Sequence, residues 1–292
     1  MQNMVKYSIT ACNYNMANTL ESSIRSILNQ VNSEYEMIVV DGGSTDGSLD
    51  ILRKLEETYG GLRLIERDPS QDAPLGTDRN LAIGSANGDY VLTNLDMDDV
   101  YREGIMSFVE VFHMLEKNIG EGFLLQGDSI KMAEKQLFLN YPFRDYNRGE
   151  DMDHWERLYA DNRIIWIDHN RFWEAIGYPH GILDKLLNNF ESKVSLLRSG
   201  KSLQSCVNYH LNDRGVLDPI LYYHLVSYIL AEATANFRGK YGPTTGFENR
   251  GKLRHIKRNN TLTLQEISKR HGFEINREKL SQKSEEIFVS DK

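Results

Sequence analysis

Apolar and polar positions run in two rhythms over the first hundred residues of the chain. Short apolar runs at 7–10, 35–40 and 62–65 have the length of buried strands. Between them, Leu20, Ile24, Ile27 and Leu28 fall on one face at helical period, and Leu49, Leu52 and Leu55 do the same one unit later. The stretch 78–86 reads as a helix, and the turn Asn87-Gly88 introduces a further strand over 89–94. Strands and helices that alternate at this spacing predict βαβ units, right-handed crossovers and a mainly parallel sheet flanked by helices, an α/β fold. Downstream the rhythm loosens: a helix over 104–115, strands at 123–126 and 164–167, and helical period at Trp155, Leu158 and Tyr159. From 181 onward the pattern is helical, with helices expected at 183–197, 217–237 and 264–271 and a charged, frayed end at 281–292. The pattern divides the chain into an α/β part, 1–180, and a helical C-terminal extension, 181–292.

Ligands of parallel sheets bind beyond the carboxyl ends of the strands. Three polar segments, 12–15, 41–46 and 96–99, fall at such ends and point to one composite site. Asp41 closes an apolar strand and is followed by Gly42 and Gly43, which permit close backbone approach. It either caps the turn or accepts a hydrogen bond from a base or ribose. Asp96, Asp98 and Asp99 crowd three carboxylates into four positions, which is tolerable when they face solvent or share a cation. Mg2+ and Mn2+ take such oxygen ligands. Arg79, preceded by Gly76, suits a diphosphate if its helix N-terminus faces the site. Glu150-Asp151 offers a general base, whereas Asp153 complements the dipole of a first helical turn. Trp155 reads as a core residue. His169, just after a strand, stands open between a metal ligand, an acceptor-site residue and neither.

Composition narrows the picture. With 40% hydrophobic and 26% charged residues the chain has an ordinary globular make-up. A net charge of −8, with no basic stripe before the final third, argues against nucleic acid as a partner. Two cysteines, Cys12 and Cys206, fit a reducing compartment, and no apolar leader opens the chain, so a cytoplasmic location is expected. No apolar run reaches transmembrane length; the nearest, 220–235, contains His224 and Glu232 and reads as a core helix. A Gly-rich phosphate loop with its lysine, a nucleophile elbow and paired-cysteine metal spacing are all missing from the sequence.

The ordered set Tyr7-Ser8-Ile9-Thr10, Tyr14-Asn15, Val39-Val40-Asp41-Gly42-Gly43-Ser44-Thr45-Asp46-Gly47, Arg79-Asn80, Ala86-Asn87-Gly88-Asp89-Tyr90, Asp96-Met97-Asp98-Asp99 and 150–158 (EDMDHWERL) resembles family 2 glycosyltransferases. The resemblance spans about 5–170 and implies the GT-A fold and a nucleotide-diphosphate sugar donor, with UDP-sugars the first choice. It implies that Cys12, Tyr14 and Asp41 line the nucleoside pocket and that Arg79 sits near the diphosphate. Asp96 and Asp98 form a DXD-like motif around ribose and metal, with Asp98 or Asp99 as the direct ligand of Mn2+ or Mg2+. Glu150-Asp151 matches the family's acidic pair, whose Asp, here Asp151, is the base of an inverting transfer. The implied acceptor is a glycan or lipid-linked hydroxyl. The extension after 181 is left to complete the acceptor site, form a homo-oligomer contact or dock at a membrane. Of two other readings, a catalytically silent sugar-binding module sits poorly with both acidic pairs being intact, and a sugar-nucleotide pyrophosphorylase lacks its basic Gly-rich loop here.

Overall fold

The computed structural model of the chain describes residues 4–68, 70, 73–145, 149–177, 182–198, 202–214, 219–239 and 250–289. Its first half runs β1 (Tyr7–Asn13), α1 (Ala17–Leu28), β2 (Tyr35–Asp41), α2 (Ser48–Thr58), β3 (Leu62–Glu66), α3 (Leu75–Gly84), β4 (Tyr90–Thr93), β5 (Asp99–Tyr101) and α4 (Ile105–Ile119). It continues through β6 (Leu124–Gln126), β7 (Lys131–Glu134), α5 (Lys135–Asn140), α6 (Glu150–Ala160), β8 (Ile164–Ile167) and β9 (Trp173–Ala175). The remainder is α7 (Ile182–Arg198), α8 (Leu203–Arg214), α9 (Pro219–Arg238), α10 (Arg250–Asn260), β10 (Thr261–Leu262), α11 (Leu264–His271) and α12 (Gln282–Phe288).

The main sheet has the order β10-β8-β6-β7-β4-β1-β2-β3. Every adjacent pair is parallel except those involving β7, which runs antiparallel to both β4 and β6. The reversal is local in origin. Only four residues separate β6 from β7, with Ser129 at φ 55° and the Gly127 amide donating to the Ile130 carbonyl, so the two strands form a hairpin. Both faces of the sheet are covered, which is why all seven residues of β2 are buried. Met37 and Val39 point into the layer holding α1, α2 and α4, while Ile38 and Val40 point into the layer holding α3 and α5. Of the strands predicted from the apolar runs, β1 and β2 sit inside the sheet and β3 forms its edge; the three are parallel, so their carboxyl ends share one side.

Beyond 181 the elements divide. Helices α7, α8 and α9 build a cluster of their own around Val194, Leu197, Cys206, Tyr228 and Ala231. Helix α9 is a core helix on that side only: Tyr222, Val226, Ile229, Leu230 and Phe237 are exposed. No described helix is long and apolar enough to cross a membrane. By contrast β10 pairs with β8 in the main sheet, and Leu264, Ile267, Ile287, Phe288 and Val289 join the main core. The end expected to fray therefore docks through residue 289. Its apolar triplet covers α4, and Ser281 caps α12 while its hydroxyl donates to Glu110 at 2.7 Å. Residues 290–292 lie outside the described ones. Strands β5, β7, β9 and β10 are two to four residues long, too short to declare a period.

Candidate active site

Strands β1 and β2 run in register, placing Asn13 beside Asp41 at their ends. The buried Asp41 carboxylate accepts from Asn13 Nδ2 (2.6 Å), Ser44 Oγ (2.7 Å) and the backbone amides of Gly43 (3.0 Å) and Ser44 (2.7 Å). Four donors use the roughly four lone-pair positions a carboxylate offers. Of the two readings of Asp41, the hydrogen bonds realise the one in which it holds the turn. Tyr14 projects from the neighbouring loop and is exposed. The Cys12 thiol is pushed up to about 12 by burial, against the opposing pull of Arg79, so it stays protonated.

Past β4 the chain turns through Asn94, at φ 66°, into the acidic cluster. Leu95 and Met97 point into the core, which leaves Asp96 exposed and Asp98 half-buried on the other side, while Asp99 is buried at the start of β5. The segment is pinned at its backbone. Tyr101 Oη accepts from the Asp96 amide (2.8 Å), Thr19 Oγ1 donates to the Met97 carbonyl (2.8 Å), and the Ile176 amide donates to the Asp98 carbonyl (2.8 Å). Gly177 makes that approach possible, because a Cβ there would lie 2.2 Å from Asp98 Cβ. Carboxylate oxygens of Asp96, Asp98 and Asp99 lie within 4.8 Å of one another. Burial, then Asp96 and Asp98, raise Asp99 to about 7, and the protein packed around the Asp96 carboxyl raises it despite Arg79, although its side chain keeps contact with solvent. Three hard oxygen donors so close that one resists ionisation are a set that Mn2+ or Mg2+ fits.

Helix α3 carries Arg79, and α6 carries the second acidic pair. Both Arg79 and Glu150 are buried, and Arg79 Nε meets Glu150 Oε1 at 3.2 Å. The Arg79 guanidinium lies within electrostatic reach of Glu150, Cys12, Asp96 and Asp151, so it is the point where the two acidic clusters and the end of β1 converge. The neighbouring Asp78 is taken by Arg67 at 2.6 Å. Within α6 the carboxylates have different duties. Asp153 is clamped by Arg144 and Arg157, each at 3.0 Å. Asp151 is half-buried and forms no ion pair among the described residues; its Oδ1 accepts from the Met152 amide at 2.8 Å.

Beside Asp151 the structure brings in residues that the pattern of the sequence did not single out. Lys131, in β7, is fully buried, and its Nζ has no hydrogen-bond partner among the described residues. It lies 5.3 Å from the centre of the Trp155 ring and 5.6 Å from that of Phe143. A lysine set between Ile130 and Met132 in an apolar run was the one signal available for it. Trp155 is buried as expected, with a polar tether: its Nε1 donates to Gln126 Oε1 at 2.9 Å. Gln126 also lines an open cleft of about 630 Å³ at the ends of β6, β8 and β10, together with Asp128, His169, Arg171 and Lys257. The His169 ring is engaged there as a loop staple. Nε2 accepts from the Asp128 amide (2.9 Å) and Nδ1 meets the Asn170 carbonyl (2.9 Å), so neither nitrogen is left to bind a metal.

Burial pulls the Lys131 ammonium from its ordinary 10.5 down to about 8, even with Asp151 nearby. A cation whose pKa falls on folding costs stability as pH drops from about 10.5 to 8, and the cost is complete below that. At roughly 1.4 kcal/mol per pH unit the penalty at neutral pH is about 3 kcal/mol. Lys131→Met is therefore expected to melt several degrees above wild type at pH 7 and to lose most of that advantage at pH 11. A variant that melts lower than wild type at pH 7 would contradict the assignment.

A family model described as "Glycosyl transferase family 2" matches residues 8–171. A poly(ribitol-phosphate) beta-glucosyltransferase of Bacillus spizizenii is 39% identical over 97 residues, 32% of this chain and 15% of that protein. The chain thus matches well under two thirds of the length of its curated relatives, 15% to 33% for the first three. Among solved structures, the mannosyltransferase PcManGT of Pyrobaculum calidifontis, in complex with GDP-Man and Mn2+, superposes with a TM-score of 0.52 at 17% identity, covering 80% of this chain and 76% of that one. TarS 1–349 of S. aureus in complex with UDP-GlcNAc gives 0.51 at 16% identity, over 81% of this chain and 93% of that one. These likenesses show the fold expected from the resemblance, the mainly parallel GT-A sheet. The match to 8–171 covers more than half of the chain, including both acidic clusters and Arg79, and the chain belongs to glycosyl transferase family 2.

Proposed function

We propose that this protein transfers a sugar, with inversion, from a nucleoside-diphosphate donor to an acceptor hydroxyl. The observation that carries the reading is the convergence on Arg79 of Asp96 from one acidic cluster and Glu150-Asp151 from the other. In this reading Cys12, Tyr14 and the turn held by Asp41 flank the nucleoside, and Arg79 faces the diphosphate. Glu150 is engaged with Arg79 and orients it. Asp96 and Asp98 face ribose and cation, with Asp98 and Asp99 holding Mn2+ or Mg2+. When bound there, the cation supplies positive charge against the charge that grows on the departing diphosphate. Asp151 takes the proton of the acceptor hydroxyl as that oxygen attacks the anomeric carbon from the face opposite the leaving group, so no covalent intermediate forms.

UDP-sugars are the first donors to test, supported by the UDP-GlcNAc complex of one structural neighbour, with GDP-sugars next on the strength of the GDP-Man complex of another. The acceptor in this reading is a glycan or a lipid-linked sugar in polysaccharide, glycolipid or glycoprotein synthesis at the cytoplasmic side of a membrane. The exposed apolar side chains Val226, Ile229, Leu230 and Phe237 of α9 offer a surface for peripheral association or a homo-oligomer contact. Thermal shift across UDP, GDP and dTDP, each with and without Mn2+, tests the donor side. One diphosphate together with Mn2+ is expected to stabilise the protein more than either alone. Saturation at 100 times the Kd corresponds to about 2.7 kcal/mol. If none of the three raises the melting temperature, the reading is wrong.

A further inference from the structure

Two ammonium groups gather around one indole next to Asp151. Lys131 Nζ lies 5.3 Å and Lys257 Nζ 4.5 Å from the centre of the Trp155 ring. They come from distant parts of the chain, one from the middle of the sheet and the other from α10. Lys131 is 0% exposed and unpartnered among the described residues, an arrangement that costs several kcal/mol unless something compensates it. Neighbouring like charges add to that cost, and Arg79 and Lys257 both lower the affinity of Lys131 for its proton. The carboxylate within electrostatic reach of both is Asp151. A general base serves poorly as the permanent counter-ion of two cations, so the balance calls for an anion from outside.

The geometry places that anion. Lys131 sits opposite Thr93 of β4 on one side and Gln126 of β6 on the other, between the strand that leads to Asp96 and the strand that ends at the 630 Å³ cleft. Lys257 lines the cleft itself and has no ion-pair partner among the described residues. The acid on the same wall that acts most on Lys257 is Asp128, and it is shared with Arg171 at 3.8 Å where both side chains are largely exposed, so solvent weakens its hold on the lysine.

We propose that this cleft is the acceptor subsite and that it selects acceptors carrying an anionic group, a phosphate or a carboxylate, close to the reacting hydroxyl. Lys257 contacts the anion, and Lys131 is a positioning charge set behind it against Trp155. The proposal rests on the glycosyltransferase reading for the word acceptor, and on the two lysines alone for the preference.

The test uses the full chain saturated with UDP and Mn2+, so that the donor side is filled, at low ionic strength where charge contacts are least screened. sn-Glycerol 3-phosphate and D-glucuronate are titrated against glycerol and D-glucose, read by melting temperature and by saturation-transfer NMR. At least one anion is expected to bind and neither neutral probe. Apparent affinity for that anion is expected to fall tenfold or more in Lys257→Gln and to weaken in Lys131→Met. It is expected to persist in Lys283→Gln, which removes an exposed charge paired with Glu286. A response to the phosphate alone assigns a phosphorylated acceptor, and a response to glucuronate alone assigns an acidic sugar. Equal binding of the neutral probes, unchanged anion affinity in Lys257→Gln, or equal loss in Lys283→Gln overturns the proposal. If UDP with Mn2+ does not bind, the donor reading falls separately, and titration of the free protein still decides the preference of the cleft.

Discussion

Asp151→Asn is expected to reduce sugar transfer by about a hundredfold to ten-thousandfold, the usual worth of a positioned proton acceptor, while leaving donor binding near that of wild type. The choice of Asp151 follows from how the other carboxylates of α6 are occupied. Glu150 is spent on Arg79 at 3.2 Å, and Asp153 is held by two arginines at 3.0 Å, so neither is free to receive a proton. Asp151 alone in that turn is half-buried with no ion pair among the described residues. Asparagine keeps the side-chain oxygen that accepts from the Met152 amide, so the first turn of α6 should survive the change. Turnover measured by product formation, set beside the Kd of the donor by calorimetry, separates the two outcomes. Wild-type turnover in Asp151→Asn would remove Asp151 from the chemistry. A parallel loss of donor affinity would reassign it to binding.

Asp98→Ala should uncouple nucleotide from cation. Wild type treated with EDTA is expected to lose turnover by about a thousandfold and to recover on addition of Mn2+, in keeping with the several kcal/mol that a bound cation supplies to a charged leaving group. The variant is expected to show the same loss and no recovery. Its melting temperature with UDP should be indifferent to Mn2+, where that of wild type rises. Folding is not at stake, because the backbone around Asp98 is held by Thr19, Tyr101 and Ile176 rather than by its carboxylate. Full turnover in EDTA refutes the cation reading outright, and rescue of Asp98→Ala by Mn2+ moves the ligand role to Asp96 and Asp99.

Some of this was written in neighbouring residues. Apolar runs such as 35–40, with a Gly-rich turn after them, predict a strand entering a site because both the period and the turn chemistry are carried by residues adjacent in the chain. The acidic pairs at 98–99 and 150–151 are legible for the same reason, as are Arg79 and the family. The duty of each residue was not. Asp41 reads equally well as a turn cap or a ligand acceptor until Asn13 arrives from the next strand to complete its fourth hydrogen bond.

The apolar triplet at 287–289 looks like part of a charged, loose end until α4 is found beneath it. Lys131 is one basic residue in an unremarked stretch, and its cost appears only when β4, β6 and α6 close around it. Lys257 lies 126 positions away in the sequence and meets it only at the Trp155 ring. Periodicity and turn chemistry are local properties, and they sufficed for the central strands of the sheet and for the placing of the carboxylates at strand ends. Burial and charge balance are sums over elements far apart in the chain. Tertiary structure alone therefore showed that Glu150 and Asp153 are ion-paired while Asp151 is not among the described residues, and brought Lys257 to the cleft at the ends of β6 and β8.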